Sequence, residues 1–357
     1  MDRTLHDSPI IESDELVLVT GATGFMGSKL VENLAARGFR NLRCFTRPSG
    51  YDGKFAVLTN LQRDGVQIQL MKGNLLSPDD CLAATRDVSL IYHLAAGRGE
   101  KSFPDAFMNS VVTARNLIEA CLQHRCLKRF VNVSSFAVYT NTGKERGSLL
   151  DEACPVETHP ELRGDAYCFA KVNQEKILID YGKRFGIPYV TVRPGVVYGP
   201  GNLAITGRVG IGSFGVFLHL GGSNLIPFTY VDNCVDGIAL TGLKSGIDGE
   251  VFNIVDDDLP TSHRFLRLYK RQVRSFRSLY VPHSVSYGLC YLWEKYCHWS
   301  EGQLPNSFNR NRWHSLWKKT RYNNEKLKTR VGWVQKVPTT EGLKRYFEAC
   351  RAKEQGA

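Results

Sequence analysis

The stretch Leu16-Val17-Leu18-Val19-Thr20-Gly21-Ala22-Thr23-Gly24-Phe25-Met26-Gly27 decides how the rest of the chain is read. A short run of apolar and β-branched residues reads as a strand buried on both faces. Three glycines follow at intervals of three, and Phe25–Arg37 continues with apolar residues at helical spacing. A strand that turns through glycines into a helix offers a diphosphate unpaired backbone N–H groups and the positive end of the helix dipole. Side chains would block that approach, so the turn and the closest strand–helix contact need glycine. A glycine triplet alone is weak evidence; the strand before it and the helix after it supply the required context. A purely structural tight turn is the plainer alternative.

Outward from this loop the chain alternates strands with helices, the pattern of a parallel sheet wrapped by helices. The predicted strands are Leu16–Thr20, Leu42–Thr46, Val66–Met71, Leu90–Leu94, Arg129–Ser134, Pro188–Arg193 and Glu250–Val255. The predicted helices are Phe25–Arg37, Pro78–Thr85, Phe107–Gln123, Ala166–Phe185 and Thr340–Arg351. After Arg193 glycine becomes frequent, which marks a second lobe, and 260–320 is aromatic, basic and placed only loosely. The expectation is an α/β fold, a Rossmann-type doubly wound parallel sheet with a smaller, mostly C-terminal substrate-binding lobe. Its parts are a flexible 1–14, a nucleotide-binding domain over 15–194 and a substrate lobe over 195–357. Elements near 228–255 are expected to return to the first domain.

With 357 residues, 43% hydrophobic and 23% charged, the composition excludes disordered, collagen-like and disulfide-scaffold proteins. The net charge of +11 is uneven: residues 261–357 hold 20 Lys+Arg against 6 Asp+Glu, a balance of +14. Such a tail suits an anionic small molecule, an anionic membrane surface or nucleic acid, or is a solvated face. No nucleic-acid-binding motif accompanies it. Ten cysteines form no CxxC pair and no zinc spacing, so no metal is expected, and with no leader ahead of the first strand a reducing cytoplasm is. No run reaches the roughly 18 apolar residues of a membrane span. The nearest, Val281 to Trp293, reads as a buried helix, with peripheral membrane contact as the alternative.

Hydride chemistry at an alcohol or ketone needs a group that exchanges a proton with the substrate oxygen and another that tunes it. A Tyr phenol serves near neutrality only with positive charge nearby, and a Lys four residues on along a helix lies one turn away on the same face. Tyr-x-x-x-Lys occurs three times, as Tyr167/Lys171, Tyr291/Lys295 and Tyr322/Lys326. Only the first opens a long helix of the α/β region, after the strand that ends Val131-Asn132-Val133-Ser134-Ser135; the other two read as surface or packing residues. The second strand ends Cys44-Phe45-Thr46-Arg47-Pro48 with no carboxylate for a ribose 2′-hydroxyl. Arg47 suits a 2′-phosphate, which favours NADP over NAD, unless it is a plain strand-end charge.

These motifs resemble the extended branch of the short-chain dehydrogenase/reductase superfamily, the NAD-dependent epimerase/dehydratase family, with some wording of the 3β-hydroxysteroid dehydrogenases. The shared pieces are Thr20 to Gly27, Gly73-Asn74-Leu75 in place of Gly-Asp-Leu, His93-Leu94-Ala95-Ala96, Arg193-Pro194-Gly195-Val196-Val197-Tyr198-Gly199-Pro200-Gly201, Phe228–Asn233 and Tyr322–Trp333. The resemblance covers roughly 15–350. It implies Ser135 as hydroxyl donor, with Ser134 second, and Asn109 as a relay member or else a helix N-cap. It also implies cofactor contacts from Gly21, Thr23, Gly24, Phe25, Met26, Gly27, Asn74, Leu75, Leu94, Ala95, Ala96, Val133, Tyr167, Lys171, Pro194 and Val197.

The resemblance further implies a homodimer through the helices that begin near Asn109 and Tyr167. For the substrate, the basic tail (Arg264, Arg267, Arg310, Arg312, Lys318, Lys319 and Arg321) favours a nucleotide-sugar acted on by an epimerase, dehydratase or 4-keto reductase. Gly222-Ser223-Asn224-Leu225-Ile226-Pro227-Phe228 lacks the Arg common in sugar-nucleotide members and favours instead an apolar alcohol or ketone, as in hydroxysteroid or dihydroflavonol oxidoreductases. A non-catalytic NAD(P) sensor is a third reading, weakened by the presence of Ser135, Tyr167 and Lys171.

Overall fold

A computed structural model describes residues 9–48, 56–63, 65–96, 102–301, 303, 304, 306 and 308–355. The first part of the chain runs β1 (Leu16–Thr20), α1 (Phe25–Ala36), β2 (Asn41–Thr46), α2 (Ala56–Arg63), β3 (Gln67–Lys72), α3 (Pro78–Thr85) and β4 (Val88–His93). Next comes α4 (Phe103–Ala106), which passes through a π-helical stretch, Phe107–Val112, into α5 (Thr113–His124). Then follow β5 (Arg129–Val133), the short β6 (Leu149–Leu150), α6 (Ala166–Phe185) and β7 (Tyr189–Pro194).

The remainder holds β8 (Val196–Tyr198), β9 (Gly210–Ser213), β10 (Val216–His219), β11 (Phe228–Tyr230), α7 (Val231–Leu243), β12 (Val251–Ile254), α8 (Ser262–Gln272) and β13 (Ser278–Tyr280). It closes with α9 (His283–Trp299), α10 (Arg310–Trp317), β14 (Arg321–Tyr322), α11 (Glu325–Val331) and α12 (Thr339–Gln355).

Seven strands form one parallel sheet in the order β12-β7-β5-β4-β1-β2-β3. β1 is buried throughout, as its continuous apolar run requires. Its side chains alternate between two cores: Val17 and Val19 join Leu30, Leu34 and Val131 on one face, and Leu16 and Leu18 join Ile91, Ile118 and Leu178 on the other. The order reverses direction between β1 and β4. A doubly wound sheet binds its ligand beyond the carboxyl ends of the strands at such a switch point.

Three expectations need correction. The helix read over Phe107–Gln123 is π-helical through Val112, where side chains intercept main-chain carbonyls: Thr113 Oγ1 donates to Asn109 O (2.9 Å) and Gln174 Nε2 to Ser110 O (3.3 Å). Residues 9–14 are tied down, because Ile10 N–H donates to Leu243 O (3.0 Å) and Ile11 is buried; residues 1–8 lie outside the described residues. The loosely placed 260–320 holds four elements, with Thr261 capping α8 and Asn309 capping α10. β13 joins a small sheet in the order β13-β10-β9, whose hairpin turns through Phe214 and Gly215, both at positive φ.

Candidate active site

At the carboxyl end of β1 the glycine loop is shaped by close backbone contact. Gly21 has φ +69°, and a Cβ there would press on the Ala95 and Leu94 backbone. A Cβ on Gly27 would overlap the Gly21 carbonyl oxygen. The loop and the segment after β4 are therefore in contact across the switch point, and Ala95 N–H also donates to Thr20 Oγ1 (3.2 Å). Thr23, Gly24, Phe25 and Met26 are half-buried at the start of α1, and Leu94, Ala95 and Ala96 are half-buried after β4.

The catalytic candidates come from β5 and α6. Asp165 caps α6 by accepting Cys168 N–H (3.3 Å), which sets Tyr167 in the first turn at 39% exposure. One turn on, Lys171 is buried, and its ammonium donates to Val133 O (2.8 Å) and Gln174 Oε1 (3.0 Å). Two residues beyond Val133, Ser135 is half-buried and caps a short 3₁₀ turn, its Oγ accepting Ala137 N–H (3.1 Å). Cys168 and Val172, neighbours of Tyr167 and Lys171, share one apolar cluster with Phe136 and Val138 of that turn. Ser135, Tyr167 and Lys171 thus come from two elements packed on each other.

Three polar side chains brace this arrangement. Glu175, one turn beyond Lys171, accepts two hydrogen bonds from the buried Arg193 of β7 (2.9 and 2.5 Å), and the Arg193 guanidinium lies over the Tyr139 ring (4.7 Å). Arg163, also buried, donates to Ala137 O (2.6 Å) and to Ser315 Oγ, tying the Ser135 turn to α10. Gln174 joins Lys171 to the π-helical stretch. None of the three was singled out from the sequence, since each is defined by partners distant in the chain.

The remaining predicted residues fall as follows. Asn109 is not a helix N-cap; Ser102 fills that role by accepting Asp105 N–H (3.2 Å). The Asn109 amide donates back along its own helix to Asp105 O (2.9 Å) and Asp105 Oδ1 (2.8 Å). Arg47 is exposed at the end of β2. Asn74 is exposed, with its side-chain oxygen accepting Leu76 N–H (3.0 Å), while Leu75 is buried. Pro194 ends β7, and Val197 in β8 pairs with Thr229. Gly195 between them has no room for a Cβ, which would overlap Pro227 O. Tyr322 is a packing residue: its ring stacks on Phe136 (5.7 Å), next in sequence to Ser135.

The residues present fit a dinucleotide. Gly21 and Gly27 cannot carry side chains, and buried polar atoms gather at the strand ends around them. Thr46 Oγ1, His93 Nε2, both Asn132 amide atoms and Ser134 Oγ have no hydrogen-bond partner among the described residues. Burial, with the Lys171 charge adding to it, pushes the His93 imidazole down to about 3, so it is neutral at pH 7. No cluster of metal-ligating side chains occurs among the described residues.

Fold and site together define a Rossmann-type dinucleotide-binding enzyme. A model of the NAD dependent epimerase/dehydratase family matches residues 17–255, and the chain belongs to that family. Over 251 residues it is 30% identical to an uncharacterized UDP-glucose epimerase of Bacillus subtilis (strain 168), covering 67% of this chain and 76% of that one. It is 27% identical over 259 residues to a trifunctional UDP-glucose 4,6-dehydratase/epimerase/reductase of Arabidopsis thaliana, of whose length the match spans 36% (67% of this chain). It is also 25% identical over 257 residues to the sterol-4-alpha-carboxylate 3-dehydrogenase of Bos taurus, covering 67% of this chain and 65% of the relative. The fold matches UDP-glucuronic acid 4-epimerase of Bacillus cereus, solved with UDP-glucuronic acid and NAD, at TM-score 0.71 and 22% identity over 95% of this chain and 99% of that one. NAD binding and enzymatic activity follow from membership of the family.

Proposed function

We propose that the protein transfers hydride at a secondary alcohol or ketone carbon of a nucleotide-sugar, with Tyr167 exchanging the substrate proton. The observation that carries this reading is the anchoring of Lys171 to Val133 O, one turn past Tyr167 and two residues before Ser135. Tyr167 is the proton-exchanging phenol, Lys171 supplies the positive charge that favours the phenolate, and Ser135 orients and polarises the substrate oxygen. When bound, the nicotinamide supplies the hydride acceptor and donor. The cradle of Gly21, Gly24 and Gly27, with Thr23, Phe25 and Met26, would hold its diphosphate, and Leu94–Ala96, Val133, Pro194 and Val197 would flank the remainder. The sugar class rests on the UDP-sugar relatives and on the basic second lobe. Turnover of UDP-, GDP- and dTDP-sugars with NAD(H) or NADP(H), followed by product stereochemistry, tests it; activity confined to sterols overturns it.

A sterol or other apolar alcohol is the second reading. It is favoured by the sterol dehydrogenase relative and by the absence of an Arg from Gly222–Phe228. The same panel separates the two.

Arg47, exposed just past the end of β2, a strand end with no carboxylate, supports NADP(H) over NAD(H). Arg47→Glu is expected to raise KM for NADPH about tenfold or more relative to NADH, and an unchanged ratio removes Arg47 from the site. A homodimer through the helices that bear Asn109 and Tyr167 is supported by the exposure of Phe107, Met108 and Phe185 there.

A further inference from the structure

Helix α9 has two apolar faces, and the described residues cover one of them. On the covered side Ser286, Cys290 and Cys297 are buried, Trp313 Nε1 of α10 donates to Ser286 Oγ (2.9 Å), and Arg310 pairs with Glu294 (2.6 Å). On the other side Val285, Leu289, Leu292, Tyr296 and Trp299 follow one another at steps of four, three, four and three, which keeps them on one stripe of the helix. All five are exposed, Leu292 at 63% and Trp299 at 77%. Single exposed apolar residues are ordinary; five in register on one helix make a contiguous patch.

The chain enters α9 from a strongly basic segment. From Arg264 to Arg277 there are six Lys or Arg and no Asp or Glu, and Arg264, Arg267, Arg271, Arg274 and Arg277 are exposed. β13, which joins this segment to α9, is exposed at every residue, Leu279 and Tyr280 included. Apart from Ser284, Lys295 and His298, every exposed side chain of α9 is apolar or aromatic.

We propose that α9 is an interfacial helix that seats the second lobe on an anionic lipid bilayer. Its aliphatic stripe enters the boundary between headgroups and acyl chains, and Tyr296 and Trp299 sit at headgroup level, where one end of such a ring is apolar and the other wet. Lys295 and the arginines of 264–277 supply the attraction to anionic headgroups. No helix of the described residues is long and apolar enough to cross a membrane, so the contact lies in the plane of the surface. The four-three spacing would equally suit a helix of a second copy. Charge weighs against that: a pair of α9 helices would double the six cations of Arg264–Arg277, a segment with no Asp or Glu that leads into the helix, whereas an anionic surface attracts them.

Sedimentation of the full-length protein with vesicles of phosphatidylcholine alone, and of phosphatidylcholine with phosphatidylserine, tests this. Binding is expected to the anionic vesicles, to weaken with added salt, and to fall at least about tenfold in Leu289→Glu/Leu292→Glu while NAD(P) binding is retained. Should that variant lose NAD(P) binding, Arg271→Glu/Arg277→Glu is expected to weaken anionic-vesicle binding about tenfold or more. Absence of binding to anionic vesicles overturns the proposal, as does undiminished binding by the folded variants. So does a wild-type dimer, without vesicle binding, that Leu289→Glu/Leu292→Glu dissociates.

Discussion

The ammonium of Lys171 donates a 2.8 Å hydrogen bond to the main-chain carbonyl of Val133, which fixes the helix bearing Tyr167 to the strand that leads into Ser135. The two elements come from different parts of the chain, and this bond joins them beside the packing of Cys168 and Val172 on Phe136 and Val138. Lys171 therefore both positions the helix and brings a positive charge one turn from the phenol.

Lys171→Met removes both at once, and two readouts tell the roles apart. The change leaves a buried carbonyl without its donor and removes the charge. kcat is expected to fall about 100-fold or more, with the pH–rate profile displaced to the alkaline side because the phenolate loses its cationic neighbour. A loss of thermal stability with an unmoved pH profile would assign Lys171 a structural role alone.

Glu175 and Arg193 form a buried pair behind the site, with oxygen–nitrogen distances of 2.9 and 2.5 Å. Glu175→Ala leaves the guanidinium buried with its carboxylate partner gone and is expected to cost about 3–5 kcal/mol of unfolding free energy. Glu175→Leu/Arg193→Met removes both charges and is expected to recover much of that loss. Denaturant unfolding of the single and double variants checks both; a double variant no more stable than Glu175→Ala contradicts the pairing argument.

How much of this was legible in the sequence depends on how local each feature is. The glycine loop, the seven strands and the Tyr167/Lys171 turn are written within a few residues of themselves, and the structure places each within a residue or two of its expected bounds. Arg163 was silent because its partner Ser315 lies 152 residues away, and Gln174 because Ser110 lies 64 away. Asn109 was named, but sequence carries no direction for a side chain, and its amide turns to Asp105. Helix α9 was hard to place because apolar residues line both its covered and its exposed faces, which removes the single amphipathic period that marks a helix.

A pH effect should be seated at Asp256. Burial raises its carboxyl to about 7 from the ordinary 3.8, against hydrogen bonds from Tyr230 N–H (2.9 Å) and the Asn233 amide (3.0 Å), with Asp257 adding to the rise. A raised folded-state value means the native protein holds the proton more tightly than the unfolded chain does. Its contribution is thus complete below about pH 4 and is lost as the pH climbs through about 7. Asp256→Asn, which keeps an oxygen acceptor and cannot ionise, is expected to flatten the decline in Tm between pH 4 and 7. An identical pH dependence in the variant would place the effect elsewhere.

The central claim is that Tyr167 exchanges the proton while the glycine cradle holds the dinucleotide independently of it. Steady-state turnover of Tyr167→Phe on the best nucleotide-sugar substrate, with NAD(P) binding measured in parallel, tests this most directly. Loss of kcat by about 100- to 10,000-fold with cofactor affinity unchanged is the predicted result. Turnover within a few-fold of the unaltered protein would contradict it.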